Sequence, residues 1–149
     1  MPKLIVTVGL PASGKSTWLA QRGINAISSD ELRRWLADDP TVQHIHRIVF
    51  GAVRYLIVQR LKIGRPETYI DATSLTRWER RPYIRLGQLY HCDVEALFFD
   101  IPLEICIERN NSRDRVVPDE AIRAMALKLV PPRVEEGFSA VRIVSQTEL

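Results

Sequence analysis

The run Gly9-Leu10-Pro11-Ala12-Ser13-Gly14-Lys15-Ser16-Thr17 fits the pattern G-x-x-x-x-G-K-[ST], which demands a buried strand, a glycine loop and a helix in immediate succession. The flanks comply. Leu4-Ile5-Val6-Thr7-Val8 is a short β-branched apolar run suited to a buried parallel strand, and Ser16 to Gln21 reads as the start of a helix. In such a loop the two glycines let backbone N–H groups turn inward around an anion, the helix N-terminus adds partial positive charge, and Lys15 adds a full one. The Ser16 hydroxyl is left to hold Mg²⁺. A nucleoside triphosphate is therefore expected here, cradled by Gly9, Pro11, Ala12, Ser13, Gly14, Lys15, Ser16 and Thr17.

The rest of the chain alternates strand and helix patterns, which implies an α/β fold with a mainly parallel sheet of about five strands covered on both faces. Strands are expected at Leu4–Val8, Ala26–Ser28, Thr68–Ile70, Val94–Phe99 and Val141–Val144. Helices are expected near Gly14–Arg22, Glu31–Ala37, Val42–Leu61, Arg77–His91, Pro102–Asn110 and Pro118–Val130. Thr76 is placed to cap the fourth, and Pro118-Asp119-Glu120 opens the sixth with acids that suit its dipole. No repeat or interdomain linker interrupts residues 1–149, so one domain is expected.

Ligands of parallel sheets sit at the carboxyl ends of the strands, and the residues just beyond each strand are the ones to read for chemistry. Asp30 and Arg33 follow the second strand, three apart and so on one helix face. Asp30 can orient an acceptor hydroxyl and take its proton, with Arg33 holding a phosphate on the acceptor; alternatively Asp30 caps the helix and Arg33 is a surface charge. The phosphate loop nearby favours the first reading. After the third strand, Asp71 is placed to hold Mg²⁺ directly or through water, or to organise the Thr73-Ser74 turn, or both. Further on, Arg109, Arg113 and Arg115 lie within one polar stretch between helices. That pattern suits either an arginine-bearing lid over a triphosphate or a solvated turn.

Composition narrows the setting. Basic residues divide into 17 Arg and 4 Lys with a net charge of +3, a bias compatible with phosphate contacts. Arg77-Trp78-Glu79-Arg80-Arg81-Pro82-Tyr83-Ile84-Arg85 mixes four arginines with two aromatics and reads as a solvated helix face or as a surface that tracks a nucleic-acid strand. Cys92 and Cys106 lack metal-ligand spacing and are expected to be buried, in a reducing cytoplasm. No apolar leader or membrane-length stretch is evident, and a monomer or homodimer is expected. His44 and His46 are two apart, so a metal pair is not expected.

These residues together resemble the kinase domain of polynucleotide 5′-hydroxyl kinases, the nucleic-acid end-healing family. Gly9 to Trp18 is similar to the family's first motif, Ser29-Asp30-Glu31-Leu32-Arg33 to its acceptor motif, and Asp71-Ala72-Thr73 to its third element. Arg109-Asn110-Asn111-Ser112-Arg113, with Val117-Pro118 and Arg123-Ala124-Met125, resembles the lid and the helix after it. Pro131-Pro132-Arg133-Val134-Glu135-Glu136-Gly137-Phe138-Ser139-Ala140 resembles the segment leading into the last strand of animal kinase-phosphatases.

The resemblance implies a P-loop NTPase three-layer sandwich, adenylate-kinase-like, with a lid near 109–117. It implies ATP and Mg²⁺ as donor and metal, and a nucleic acid with a 5′-hydroxyl end, RNA or DNA, as acceptor. Asp30, Lys15, Arg113 and Arg109 would be catalytic, with Arg109 and Arg113 also on the donor phosphates. Asp30, Arg33, Asp71 and Thr73 would meet the substrate, and Ser16 and Asp71 the metal. A chain of 149 residues leaves no room for the phosphatase or ligase such kinases often carry, so a ligase or phosphatase partner would act in trans. Two rivals stand: a small-molecule kinase such as a nucleoside monophosphate kinase, and a non-catalytic nucleotide-binding switch. Against the first, the loop ends Gly14-Lys15-Ser16-Thr17 where adenylate kinases typically have Gly-Lys-Gly-Thr. Against the second, no Asn-Lys-x-Asp guanine motif is present and binding alone needs neither Asp30 nor lid arginines.

Overall fold

Successive residues of strand β1 (Lys3–Val8) point to opposite faces, and the two faces bury different cores. The computed structural model describes residues 1–113 and 117–149. Leu4, Val6 and Val8 pack on one side with Ala96 and Phe98 of β4 (Asp93–Phe99). Helices α3 (His46–Lys62) and α4 (Arg77–Tyr90) cover that side through Val49, Val53, Ile57, Tyr83 and Leu86. Ile5, Leu97 and Phe99 face the other way, where α1 (Lys15–Gln21), α5 (Leu103–Asn111) and α6 (Asp119–Lys128) supply Trp18, Leu19, Cys106 and Met125. The outcome is the expected three-layer α/β sandwich.

All five strands pair in parallel, in the order β2-β3-β1-β4-β5, with β2 at Ile27–Ser28, β3 at Glu67–Asp71 and β5 at Ala140–Val144. β1 sits at the centre. Its carboxyl end is tied to β3 by buried Thr7, whose Oγ1 donates to Ala72 O at 2.7 Å and accepts from Ala72 N at 3.0 Å. Among the described residues, no helix is long and apolar enough to cross a membrane, and both cysteines are buried free thiols.

Each expected strand and helix forms, with shifted ends. The third helix, expected from Val42, starts at His46, because Asp39 closes a competing turn: its carboxylate accepts from Thr41 N and Oγ1 at 2.8 and 2.7 Å. Helix α2 (Ser29–Ala37) starts two residues earlier than expected, directly after β2, with Ser28 as the cap that accepts from Glu31 N at 3.2 Å. Thr76 caps α4 as expected, accepting from Glu79 N at 3.1 Å.

The Arg77–Arg85 segment corrects an expectation. Arg80 lies neither on a solvated face nor on a strand-tracking surface, for it is fully buried. Its Nε and Nη2 donate to both carboxylate oxygens of Glu136 at 2.9 Å, and its Nη1 donates to Ser74 O and Leu75 O at 2.9 and 3.1 Å. Glu136 also accepts from Arg133 N at 2.9 Å, so a single ion pair fastens the Pro131–Ala140 segment to the loop after β3. Breaking such a pair strands a charge in the interior. Arg80→Ala or Glu136→Ala should each cost about 3–5 kcal/mol, read as a lowered urea midpoint with an unchanged slope. A loss below about 1 kcal/mol, as for exposed pairs, would show that the pair is solvated in solution.

Candidate active site

The phosphate loop is shaped by two kinds of constraint. Gly14 (φ 99°) and Ala12 (φ 61°) take left-handed backbone, which turns successive N–H groups toward one side as an anion-binding nest. Gly9 instead answers a close approach: a Cβ there would lie 2.9 Å from Ser13 Oγ and 3.1 Å from Phe99 Cβ. The expected pair of loop-turning glycines is thus one glycine and one alanine, with Gly9 needed for packing. Gly9 N donates to Thr73 O at 3.0 Å, joining the loop to the end of β3.

Lys15 is 8% exposed, and its Nζ donates to Gly9 O and Leu10 O at 3.0 and 2.8 Å. Burial lowers its pKa from 10.5 to about 8, since desolvation disfavours the ammonium. Ser16 Oγ donates to Asp71 Oδ2 at 2.6 Å. A hydroxyl and a carboxylate oxygen converging beside the nest form a hard donor set, which suits Mg²⁺ completed by water and phosphate oxygens. Among the described residues, no cluster of three or more His, Cys, Asp or Glu is placed to hold a metal.

Across the cleft, Asp30 and Arg33 share a face of α2, with Arg33 Nη1 3.6 Å from Asp30 Oδ1. Ser28 does the capping, so Asp30, with its side chain half exposed, is not the cap that one reading of the sequence allowed. Arg33 is buried, its Nη2 lies 2.7 Å from His46 Nδ1, and its Nε is buried without a hydrogen-bond partner. Arginine offers donors only, so His46 Nδ1 must be the acceptor and the ring proton sits on Nε2. Nothing in the sequence marks His46 as the partner of Arg33. It lies 13 residues beyond Arg33, and no local spacing signals that the start of α3 returns to the start of α2.

The lid expectation falls partly on Asp114, Arg115 and Val116, which lie outside the described residues. Of its described part, Arg109 Nη1 is 3.5 Å from Ser13 O on the phosphate loop, and Arg113 Nε donates to Asn110 Oδ1 at 3.2 Å. Fully buried Asn110 also bonds the N–H and carbonyl of Val117, a role no sequence signal marked. A cleft of about 1170 Å³ gathers Lys15, Ser16, Asp30, Arg33, Asp71 and Thr73 along with Pro11, Ala12, Gly14, Thr17, Arg109 and Arg113. Gly9 and Ser13 are not among its lining residues and support it from behind.

Strand order, phosphate loop and the facing acid-arginine pair define a P-loop kinase fold. The chain belongs to the AAA domain family, whose model matches residues 4–132. It is 38% identical over 94 residues to the human L-seryl-tRNA(Sec) kinase, covering 62% of this chain and 27% of that protein. To the L-seryl-tRNA(Sec) kinase of Methanococcus maripaludis it is 23% identical over 153 aligned positions, covering 97% and 59%. The chain thus spans less than two thirds of either relative. Among solved structures, the Pnkp1/Rnl/Hen1 complex matches with a TM-score of 0.63 at 25% identity, covering 78% of this chain and 40% of that one. Two others share the fold: Kti12 of Chaetomium thermophilum with ADP-AlF3 (TM-score 0.66, 18% identity, 96% and 89% covered), and a gluconokinase from Sinorhizobium meliloti 1021 (TM-score 0.62, 21% identity, 97% and 82% covered).

Two outcomes follow from the donor half. Triphosphate binding favours the ammonium of Lys15, whereas the ligand-free protein loses that proton above about pH 8. Affinity for ATP should therefore be independent of this group below pH 8 and fall by up to about tenfold per unit above it. Proton uptake, measured by calorimetry at pH 9 in buffers of different ionisation enthalpy, checks the sign; no uptake would show that Lys15 keeps its proton. Ser16→Ala and Asp71→Asn should weaken Mg²⁺·ATP binding roughly tenfold or more while leaving metal-free ATP binding little changed. Equal losses with and without Mg²⁺ would remove the metal from these oxygens.

Proposed function

We propose that this chain transfers the γ-phosphoryl group of ATP to the 5′-hydroxyl end of RNA or DNA. The observation that carries the reading is the placement of Asp30 and Arg33 across one cleft from Lys15 and the Ser16–Asp71 pair. An acceptor hydroxyl held at Asp30 attacks the γ-phosphorus, its proton passes to the carboxylate, and the bond to the β-phosphate oxygen breaks to release ADP. Mg²⁺, held by Ser16 and Asp71, would neutralise charge on the phosphates. Lys15, Arg109 and Arg113 supply the remaining positive charge. Arg33, with a buried Nε lacking a partner, is suited to take an anionic oxygen of the acceptor, because the unmatched donor is costly until an acceptor reaches it. Thr73 lines the same cleft and would meet the substrate there.

A second reading has its own support. The 38% identity over 94 residues to the human L-seryl-tRNA(Sec) kinase favours a hydroxyl on an aminoacyl group carried by tRNA. A small-molecule kinase of the gluconokinase kind shares only the fold. Transfer of labelled γ-phosphate to matched 5′-hydroxyl RNA and DNA oligonucleotides, seryl-tRNA, nucleoside monophosphates and gluconate separates these readings. Label on the oligonucleotides is the expected result, and label confined to seryl-tRNA or a metabolite overturns it. Asp30→Ala should lower transfer at least about 10²-fold with little change in ATP affinity, because the carboxylate meets the acceptor and not the donor. Turnover at the normal rate would remove Asp30 from the role of base.

A further inference from the structure

Trp78 is 75% exposed, yet it lines the same cleft as Asp30, His46 and Asp71. Its position follows from the local fold. It is the second residue of α4, in a turn fixed by the Thr76 cap and by buried Arg80. The inward positions of that helix belong to Arg80, Tyr83 and Ile84, so the indole is left facing outward at the cleft. Arg81 lies over the ring with its guanidinium carbon 5.4 Å from the centroid, which orders the indole and leaves its other face for a ligand. Arg77, Arg81 and Arg85 are all exposed, and their spacing of four sets them along one side of α4 as a ridge of roughly 12 Å. Glu79 keeps its negative charge but is turned back to the start of the helix. Its carboxylate is engaged by Leu75 N and Thr76 Oγ1 at 3.2 and 3.3 Å.

A rigid, exposed indole backed by a guanidinium and followed by a row of arginines matches the chemistry of single-stranded nucleic acid: a flat base, then phosphates at intervals. We infer that Trp78 is a stacking platform for one base of the acceptor strand and that Arg77, Arg81 and Arg85 follow its backbone away from the cleft. This rests on the reading of the acceptor as nucleic acid. A small acceptor held at Asp30 and Arg33 has no use for either feature.

The test measures KM for 5′-hydroxyl oligonucleotides, each carrying an abasic site at a different position near the 5′ end, with the wild type, Trp78→Ala and Trp78→Phe. Quenching of tryptophan fluorescence by the same oligonucleotides is followed without ATP. Trp78→Ala should raise KM about five- to hundredfold on intact strands, with kcat preserved and Trp78→Phe recovering most of the loss. One abasic position should reproduce the loss in the wild type, and on that strand Trp78→Ala should add nothing. Transfer to oligonucleotides with a KM indifferent to Trp78, or a loss undiminished on every abasic strand, overturns the platform alone. Quenching that requires Trp78 without transfer to 5′ ends supports the platform and overturns the proposed reaction. Neither transfer nor quenching overturns both.

Discussion

The central place of β1 is the constraint from which the rest of the site follows. A strand hydrogen-bonded on both edges, to β3 and to β4, ends in a loop that cannot drift sideways, because Gly9 is pressed against Phe99 at the end of β4 and bonded to Thr73 beyond β3. Parallel pairing puts the ends of β1 and β3 at the same edge of the sheet, which is why Asp71 reaches Ser16 across 55 residues of sequence at 2.6 Å. A βαβ connection brings the end of β2, and with it α2, to that same edge. Catalytic candidates distant in sequence are neighbours for topological reasons before any side-chain chemistry acts.

Electrostatics then distinguishes the two halves of the cleft. Lys15 donates to the loop's own carbonyls while burial lowers its pKa to about 8, so this side of the cleft holds a desolvated ammonium that gains from the arrival of phosphates. The facing side holds a guanidinium nearly out of water, steadied by His46 on one side and Asp30 on the other, with one N–H still unmatched. That N–H of Arg33 is matched only when an acceptor reaches it. The Arg80–Glu136 pair is different in kind: its partners are complete, both members are shielded, and it holds the loop after β3 in place.

The donor half was legible in the sequence because it is contiguous: a strand, a loop and a helix within about twenty residues carry its geometry, and hydrophobic periodicity located the strands that flank it. Asp30, Arg33 and Asp71 could be singled out because strand ends are where such sheets place ligands. What escaped was everything set by packing between elements. His46 meets Arg33 only because α3 folds back on α2, and Arg80 finds Glu136 56 residues away. An arginine in a run of charges looks the same whether it faces water or the interior, since period and composition cannot distinguish a solvated cation from one whose every donor is matched. The turn at Asp39 likewise shortened α3 through a side-chain hydrogen bond that competes with an otherwise good helical pattern.

That division bears on why a chain of this fold reveals its donor sooner than its acceptor. Donor phosphates are the same in every kinase that uses a triphosphate, and the loop that binds them is made of backbone, whose geometry needs glycine at few and fixed places. Acceptors differ, and here the side of the cleft facing the loop is lined by side chains from α2, the start of α3 and the start of α4, three helices whose mutual placement depends on the core beneath them. The cleft of about 1170 Å³ is lined by the phosphate loop and by these three helices together, so one space serves both sides. The exposed indole of Trp78 and the arginines behind it lie along α4, the helix that Arg80 and Glu136 pin to the sheet. Under the proposed reaction, anchoring on the inner face of α4 gives its outer face the rigidity that an extended acceptor requires, since a platform that moved relative to Asp30 could bind a strand without holding its hydroxyl in line.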